Sequence, residues 1–365
     1  MSGPVGIGVI GAGTISDTYL ENLTSFADTE VLAIGDVVLK AAQEKADKYD
    51  VPAVGDVATV LDNPDVEIVV NLTIPAAHAE VASQVIAAGK HVWNEKPLAL
   101  DRFSGQRLLS DAAAAGLRVG CAPDTFLGSG LQTACRLIEQ GIIGTPLTAL
   151  ALLQLPGPEA WHPNPAFLYA AGAGPLFDLG PYYLTALVQV FGSVASVAAL
   201  GSKARERRVI GSGPKAGEEF DVTVPSHVST LAQFESGQSA QAIFSFDSAL
   251  PRTLLEVNGT DATMLFPDPN QFDGEVAVRR RGGEDWETVA ATTAKSFRGT
   301  GVLDMARALR EGRPHRAQGL LAYHVLDTVI AIAESVESRA FVEVASSVDK
   351  PRLLPDDWDP LGRTI

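Results

Sequence analysis

Short apolar runs alternate with amphipathic stretches through the first third of the chain. "VGIGVI" precedes an amphipathic segment at 14–26, "VLAIG" one at 38–49, "EIVVNLT" one at 76–88 and "HVWNE" one at 101–115, before a last run, "LRVGCA". Continuous apolar runs suit strands covered on both faces, and helical periodicity between them supplies the cover. The pattern predicts a doubly wound parallel sheet with helices on both sides. Past Pro123 the rhythm changes to one helical stretch (131–140), a strand-like run "LTALALLQL" and the proline-rich loop "PGPEAWHPNP". From 194 to 290 the period is mostly two, as in "HVSTLAQFESGQSAQAIFSF", with Gly237 at a hairpin tip. A largely antiparallel open sheet is expected there. Two helical stretches, "GVLDMARALREG" and "LLAYHVLDTVIAIAESVES", follow before a proline-rich tail. The α/β reading therefore has a parallel-sheet domain at 1–122, an α+β domain at 123–345 and a tail at 346–365.

Composition narrows the function. An apolar content of 46% against 20% charged residues is ample for two cores, and the net charge of −16 argues against a surface built to grip nucleic acid or an anionic membrane. The start, "MSGPVGIGVIGAGT", has no basic leader before a long apolar run, and no later segment reaches about 18 uncharged apolar residues. A soluble cytoplasmic protein is expected. Cys121 and Cys135 stand without further ligands at zinc spacing, so they read as reduced thiols and no metal site is expected.

"GVIGAGTIS" puts Gly11 and Gly13 directly after the first strand, with Thr14 and Ile15 opening a helix. Such glycines let a pyrophosphate approach backbone amides at a helix N-terminus, the phosphate site of a Rossmann domain. The third fingerprint position is Ser16, small enough for close helix packing. Asp36, ending "VLAIGD", is placed to accept ribose hydroxyls and to repel a 2′-phosphate. No arginine follows at 37 or 38, so NAD is favoured over NADP.

Ligands of an open parallel sheet lie beyond the carboxyl ends of its strands. In "NLTIPAAH" this predicts Thr73 and Pro75 beside the dinucleotide and His78 in the next helical turn, and in "NEKP" it picks out Glu95 and Lys96. Pro97 ends the ladder and turns Lys96 out of it. Farther on, "GAGPLFDLGPYYLTAL" sets one acid and two tyrosines among glycine, proline and aliphatic residues. Gly180 as cap and Pro181 at the first helical position predict a helix from 181 to about 191, ended by Gly192, with Leu184, Leu187, Val188 and Phe191 facing a core. Asp178 then precedes the cap, where it either caps the helix or charges a site. Tyr182 shares a face with Thr185, Ala186 and Gln189. A tyrosine near pKa about 10 is a poor base at neutral pH, and a nearby ammonium such as Lys96 would lower it. In the loop "AWHPNPAFLY", Trp161, His162, Asn164 and Tyr169 are candidates to line a sugar-sized pocket. His227, His315 and His324 read as structural, and Arg279, Arg280 and Arg281 as part of a solvated hairpin.

"GVIGAGTIS", "NEKP" and "GPLFDLGPYY" together resemble the glucose-fructose oxidoreductase / inositol dehydrogenase family (Gfo/Idh/MocA), and "GRPHRAQGLLAYHVLD" is similar to its C-terminal helices. The resemblance implies that Lys96, Asp178 and Tyr182 surround the substrate hydroxyl and the nicotinamide. Many members carry histidine where this chain has Tyr182, and some carry tyrosine. It further implies an NAD-dependent oxidoreductase acting on a sugar, polyol or related cyclic alcohol, paired into a homodimer or homotetramer through the C-terminal sheet. Two other readings compete: a net non-redox glycosidase or lyase passing through a transient keto-sugar, and a non-catalytic dinucleotide-binding sensor.

Overall fold

Every residue of the first strand, Val5–Ile10 (β1), is buried, as a strand covered on both faces requires. In the computed structural model, which describes residues 3–291 and 296–365, it is followed by α1 (Thr14–Leu23), β2 (Thr29–Gly35), α2 (Leu39–Tyr49), β3 (Ala53–Gly55) and α3 (Val57–Leu61). The second half of the sheet adds β4 (Ile68–Asn71), α4 (His78–Ala87), β5 (His91–Asn94), α5 (Arg102–Ala114) and β6 (Val119–Cys121). All pairings are parallel and the order is β3-β2-β1-β4-β5-β6. The chain reverses its direction of travel between β1 and β4, the switch point at which such sheets take ligands.

A second sheet, mostly antiparallel, is built after α6 (Ser129–Glu139) from β7 (Pro146–Gln154), then, beyond helix α7 (Gly174–Phe191), from β8 (Val194–Ser202). A side ribbon of β9 (Arg207–Val209) and β10 (Glu219–Asp221) precedes β11 (His227–Phe234), β12 (Ser239–Ser245), β13 (Arg252–Gly259), β14 (Ala262–Phe266), β15 (Val276–Arg280) and β16 (Glu287–Val289). Helices α8 (Thr300–Glu311) and α9 (Gly319–Ser338) and a short β17 (Val342–Glu343) follow. The order is β16-β15-β14-β13-β7-β12-β11-β8-β17, and among the described residues only the β7–β12 pair is parallel. Gly237 sits in the β11–β12 hairpin, as its pattern predicts. Inward residues alternate with outward ones along the strands: α7 packs on the inner face, with Tyr183 edge-on to Phe244 and Phe191 tilted on Phe234. The outer face leaves Leu200 and Leu231 in solvent. Helix α9 is long and apolar enough, by length and composition, to cross a membrane, and 61% of that stretch is buried within the protein itself.

Two expectations need correction. Helix α7 begins at Gly174, and Pro181 lies inside it. The Gly-Pro start signal occurs twice, at 174–175 and 180–181, and the chain uses the first: Gly174 has φ +80° and Pro175 falls in the first turn, where no amide is needed. From Gly180 onward every residue of α7 is buried, so packing on all sides offsets the hydrogen bond that Pro181 cannot make. The second correction concerns organisation. The compact units are discontinuous, one of residues 3–129, 296–326 and 351–365, the other of 130–291 and 327–350, rather than the contiguous 1–122, 123–345 and 346–365. Late segments complete the parallel-sheet unit: the Cys121 amide donates to Ala317 O at 3.2 Å, and His315 Nε2 lies 3.2 Å from Val119 O. The tail packs too. Arg307 stacks 4.4 Å from the Trp358 ring and donates to Asp28 at 2.7 Å, while the Thr364 and Ile365 amides donate to the same carboxylate.

Candidate active site

At the end of β1, Gly11 has φ +106°, and a Cβ there would meet the Leu72 backbone at 2.7 Å, so only glycine fits. Gly13 differs. Its φ of −71° is open to any residue and nothing lies within 4 Å of a Cβ built on it, so the protein leaves space over the N-terminus of α1. Gly13, Thr14 and Ile15 are exposed around that space, and Ser16 is buried with its hydroxyl donating to Gly13 O at 2.7 Å. Asp36 closes the turn by accepting the Ala12 amide at 2.6 Å and the Val38 amide at 2.7 Å. Its carboxylate keeps lone pairs for ribose hydroxyls, and Val37, Val38 and Leu39 beside it are exposed and uncharged. An open helix N-terminus with an acceptor at the rim fits an NAD dinucleotide.

The strand ends beside this turn are tied together. Asn71 ends β4 and Asn94 ends β5; the Asn71 amide group donates to Asn94 Oδ1 at 2.9 Å and to His78 O at 3.1 Å. Thr73 donates its hydroxyl to Asn71 Oδ1 at 2.7 Å, and Pro75 is exposed one turn on. Neither asparagine is picked out by the chemistry expected of the site, although the same residue ends two successive strands. His78, expected at the dinucleotide, is buried, with its ring nitrogens 2.7 Å from Pro97 O and 2.9 Å from Thr73 O. It fastens two loops and presents no ring nitrogen outward. Glu95 is likewise turned inward: it accepts the Tyr19 hydroxyl at 2.9 Å and the Lys96 amide at 2.9 Å. Burial, and then the Glu95 charge, push the Tyr19 phenol well above its ordinary range, so Tyr19 stays a donor to that carboxylate. Lys96 is half-buried just beyond β5.

In the second unit, Asp178 and Tyr182 are both within α7, four residues apart, and so share one helix face. Asp178 stands in the second turn rather than before the cap, beyond the reach of most of the helix dipole. Tyr182 is buried to 7% exposure and Tyr183 fully. Burial, then the Asp268 charge, hold the Tyr183 phenol well up. Of the loop candidates, Trp161 and Asn164 are exposed, and His162 accepts the Asn164 amide at Nδ1 (3.0 Å). Tyr169 is corrected to a core residue: it packs with Leu168, Val222 and Phe246 and donates its hydroxyl to Glu159. His315 is buried as expected, and Arg279, Arg280 and Arg281 are exposed around the β15–β16 turn. Among the described residues, no three His, Cys, Asp or Glu side chains gather in a metal-binding group.

Residues 5–122 match the model of the GFO/IDH/MocA oxidoreductase family with an NAD-binding Rossmann fold, and residues 131–265 match the GFO/IDH/MocA C-terminal domain. Trans-1,2-dihydrobenzene-1,2-diol dehydrogenase of Bos taurus is 26% identical over 347 residues, 94% of this chain and 95% of that protein. Inositol 2-dehydrogenase of Salmonella typhimurium is 33% identical over 144 residues, 38% of this chain and 43% of that one. In fold, the chain is similar to levoglucosan dehydrogenase solved with NADH and L-sorbose, with a TM-score of 0.80 over 94% of this chain and all of that one at 20% identity.

Proposed function

Because this chain belongs to the Gfo/Idh/MocA oxidoreductase family, we propose that it oxidises a secondary hydroxyl of a sugar, polyol or related cyclic alcohol, or reduces the matching ketone, with Tyr182 exchanging the hydroxyl proton. One relationship carries this reading: a tyrosine one turn beyond Asp178, the single charged residue of a helix that is mostly apolar. Bound NAD supplies the acceptor for the hydride that leaves the carbinol carbon. Tyr182 as its phenolate takes the hydroxyl proton as the carbonyl forms, and as the phenol returns it in the reverse direction. Asp178, on the same helix face, orients that hydroxyl. The Lys96 ammonium stabilises the negative charge that develops on oxygen. The backbone amides of the exposed residues Gly13, Thr14 and Ile15 would hold the pyrophosphate, and Asp36 would hold the adenosine ribose.

The test is a calorimetric titration with NADH and NADPH, then a screen of sugars and polyols for absorbance change at the nicotinamide band. NADH should bind more tightly, and Tyr182→Phe should cut turnover by roughly 10²- to 10⁴-fold with NADH affinity retained. Turnover that survives Tyr182→Phe would sink the assignment. Product formation without net NADH would favour the transient keto-sugar reading.

The outer face of the second sheet supports a homo-oligomer. Leu200, Leu231 and Phe341 stand exposed there around a groove of about 460 Å³. A half-bare sheet of this size gains by pairing with a second copy. Light scattering should report a dimer or tetramer, and a monomer would refute it.

A further inference from the structure

The loop that leads into α7 has two unlike sides. Outward it shows Trp161, 68% exposed, and Phe167, 51% exposed, with the His162 ring edge-on to each at 5.5 Å. Exposed rings of this size contribute little to a core, and three in contact are more than a solvated loop requires. Inward, the same loop carries Glu159 and Tyr169, and these meet Arg208 of β9, whose side chain is 4% exposed. The Arg208 guanidinium donates to Glu159 and to Asp247, donates to Phe246 O at 3.1 Å, and lies 4.9 Å over the Tyr169 ring. Tyr169 completes the circuit by donating its hydroxyl to the second Glu159 oxygen. Asp247 accepts the Ser226 hydroxyl at 2.6 Å, and the Gly211 amide donates to Glu159 O at 2.7 Å.

A buried cation between two carboxylates adds little stability over apolar residues of equal volume, because desolvation cancels most of the attraction. What the circuit supplies is one fixed geometry, since each partner has a directional bond that no neighbouring conformation reproduces. The space is filled to the limit: at Gly157, with φ +111°, a Cβ would come 2.3 Å from Glu159 and 2.6 Å from Arg208. The pinned segment ends at Tyr169, and α7, with Asp178 and Tyr182, begins at Gly174 and packs on it.

We propose that Arg208 is a positioning residue for substrate: by pinning Glu159 and Tyr169 it holds Trp161, His162 and Phe167 as a stacking face for a cyclic substrate with an aromatic or C–H-rich ring face. The inference rests on the reaction proposed above, which sets the chemistry one helix away. Its substrate is therefore ring-shaped, and open-chain polyols lack the surface that this loop recognises.

Steady-state kinetics of Arg208→Met, Arg208→Lys and the surface variant Trp161→Ala on the full chain test this, beside hydrogen exchange of the 157–169 peptide. Arg208→Met should raise KM for a cyclic alcohol roughly tenfold, the worth of one or two stacked rings, with kcat and NADH affinity little changed. Arg208→Lys, which keeps the charge but loses the fork, should fall between. Exchange at 157–169 should quicken in Arg208→Met while that of α7 does not. Trp161→Ala, at an exposed position, should reproduce the KM rise without loss of melting temperature, which keeps the test valid if Arg208→Met does not fold. An unchanged KM in Trp161→Ala, or a loss confined to kcat, would overturn the proposal. Should the wild type oxidise no alcohol, the reaction reading fails, and the loop is then judged by quenching of Trp161 fluorescence with the same cyclic compounds. Quenching absent from Trp161→Phe would support the stacking face, and no quenching would refute it.

Discussion

The Asp36 carboxylate accepts the Ala12 amide proton at 2.6 Å, so the acid that directly follows β2 also braces the glycine turn after β1. One side chain thus joins two parts of the proposed dinucleotide site. Asp36→Ala removes the brace and the ribose acceptor together. Charged hydrogen bonds of this kind contribute about 1.5–3 kcal/mol, so NADH affinity should fall roughly 10- to 100-fold, and preference over NADPH should narrow. Calorimetry reads both, and an unchanged preference would refute the assignment.

Gly11 and Gly13 should separate stability from binding. Gly11→Ala forces a side chain into a left-handed backbone and onto Leu72, which costs at least about 1–2 kcal/mol and lowers the melting temperature. Gly13→Ala meets nothing in the protein and should melt like the wild type. Its methyl group would occupy the space over the helix N-terminus, so NADH binding should weaken. Thermal melts and titrations of the two variants should show opposite patterns.

His315 should make the parallel-sheet unit acid-sensitive. Burial holds its imidazole down to about 4, against an ordinary value of 6.5, with Asp304 opposing the shift. As pH falls below about 6.5 the unfolded chain takes up a proton that the folded chain refuses, and the difference stops growing near pH 4. Stability contributed by the neutral ring is therefore complete above pH 6.5 and lost between there and pH 4, on the order of 3 kcal/mol. Denaturation profiles of wild type and His315→Gln across this range should converge as pH falls. Parallel profiles would refute the assignment.

Arg307 should govern the tail. Arg307→Met leaves Asp28 buried without its cation and removes the platform under Trp358. Losing one partner of a buried pair costs about 3–5 kcal/mol, so the melting temperature should drop by several degrees and residues 351–365 should become sensitive to protease. Resistance equal to the wild type would count against it.

The parallel sheet was legible because its evidence is local: each strand and helix announces its own period, and the glycine turn and Asp36 need only one βαβ unit to meet. The second unit was legible in class but not in its site. Two Gly-Pro pairs compete in "GAGPLFDLGPYY", and only the packing around α7 shows that the first starts the helix. Tyr169 and Trp161 look alike in a proline-rich loop; one is core and the other is surface because Val222 and Phe246 arrive from the ends of the remote strands β10 and β12. Arg208 lies in the charged run "ARERRV", where nothing distinguishes the one arginine that is buried. Local pattern carries the elements, and long-range partners carry the exceptions.

The discontinuous first unit bears on how the protein is made. Strands β1 to β6 leave the ribosome early, yet Ala317, Arg307 and Trp358, which finish their packing, are translated only near the end. The nascent N-terminal segment must wait, incompletely covered, through synthesis of the whole second sheet. Chains cut short before residue 300 would therefore emerge with an unfinished dinucleotide half, a natural substrate for chaperones and proteases.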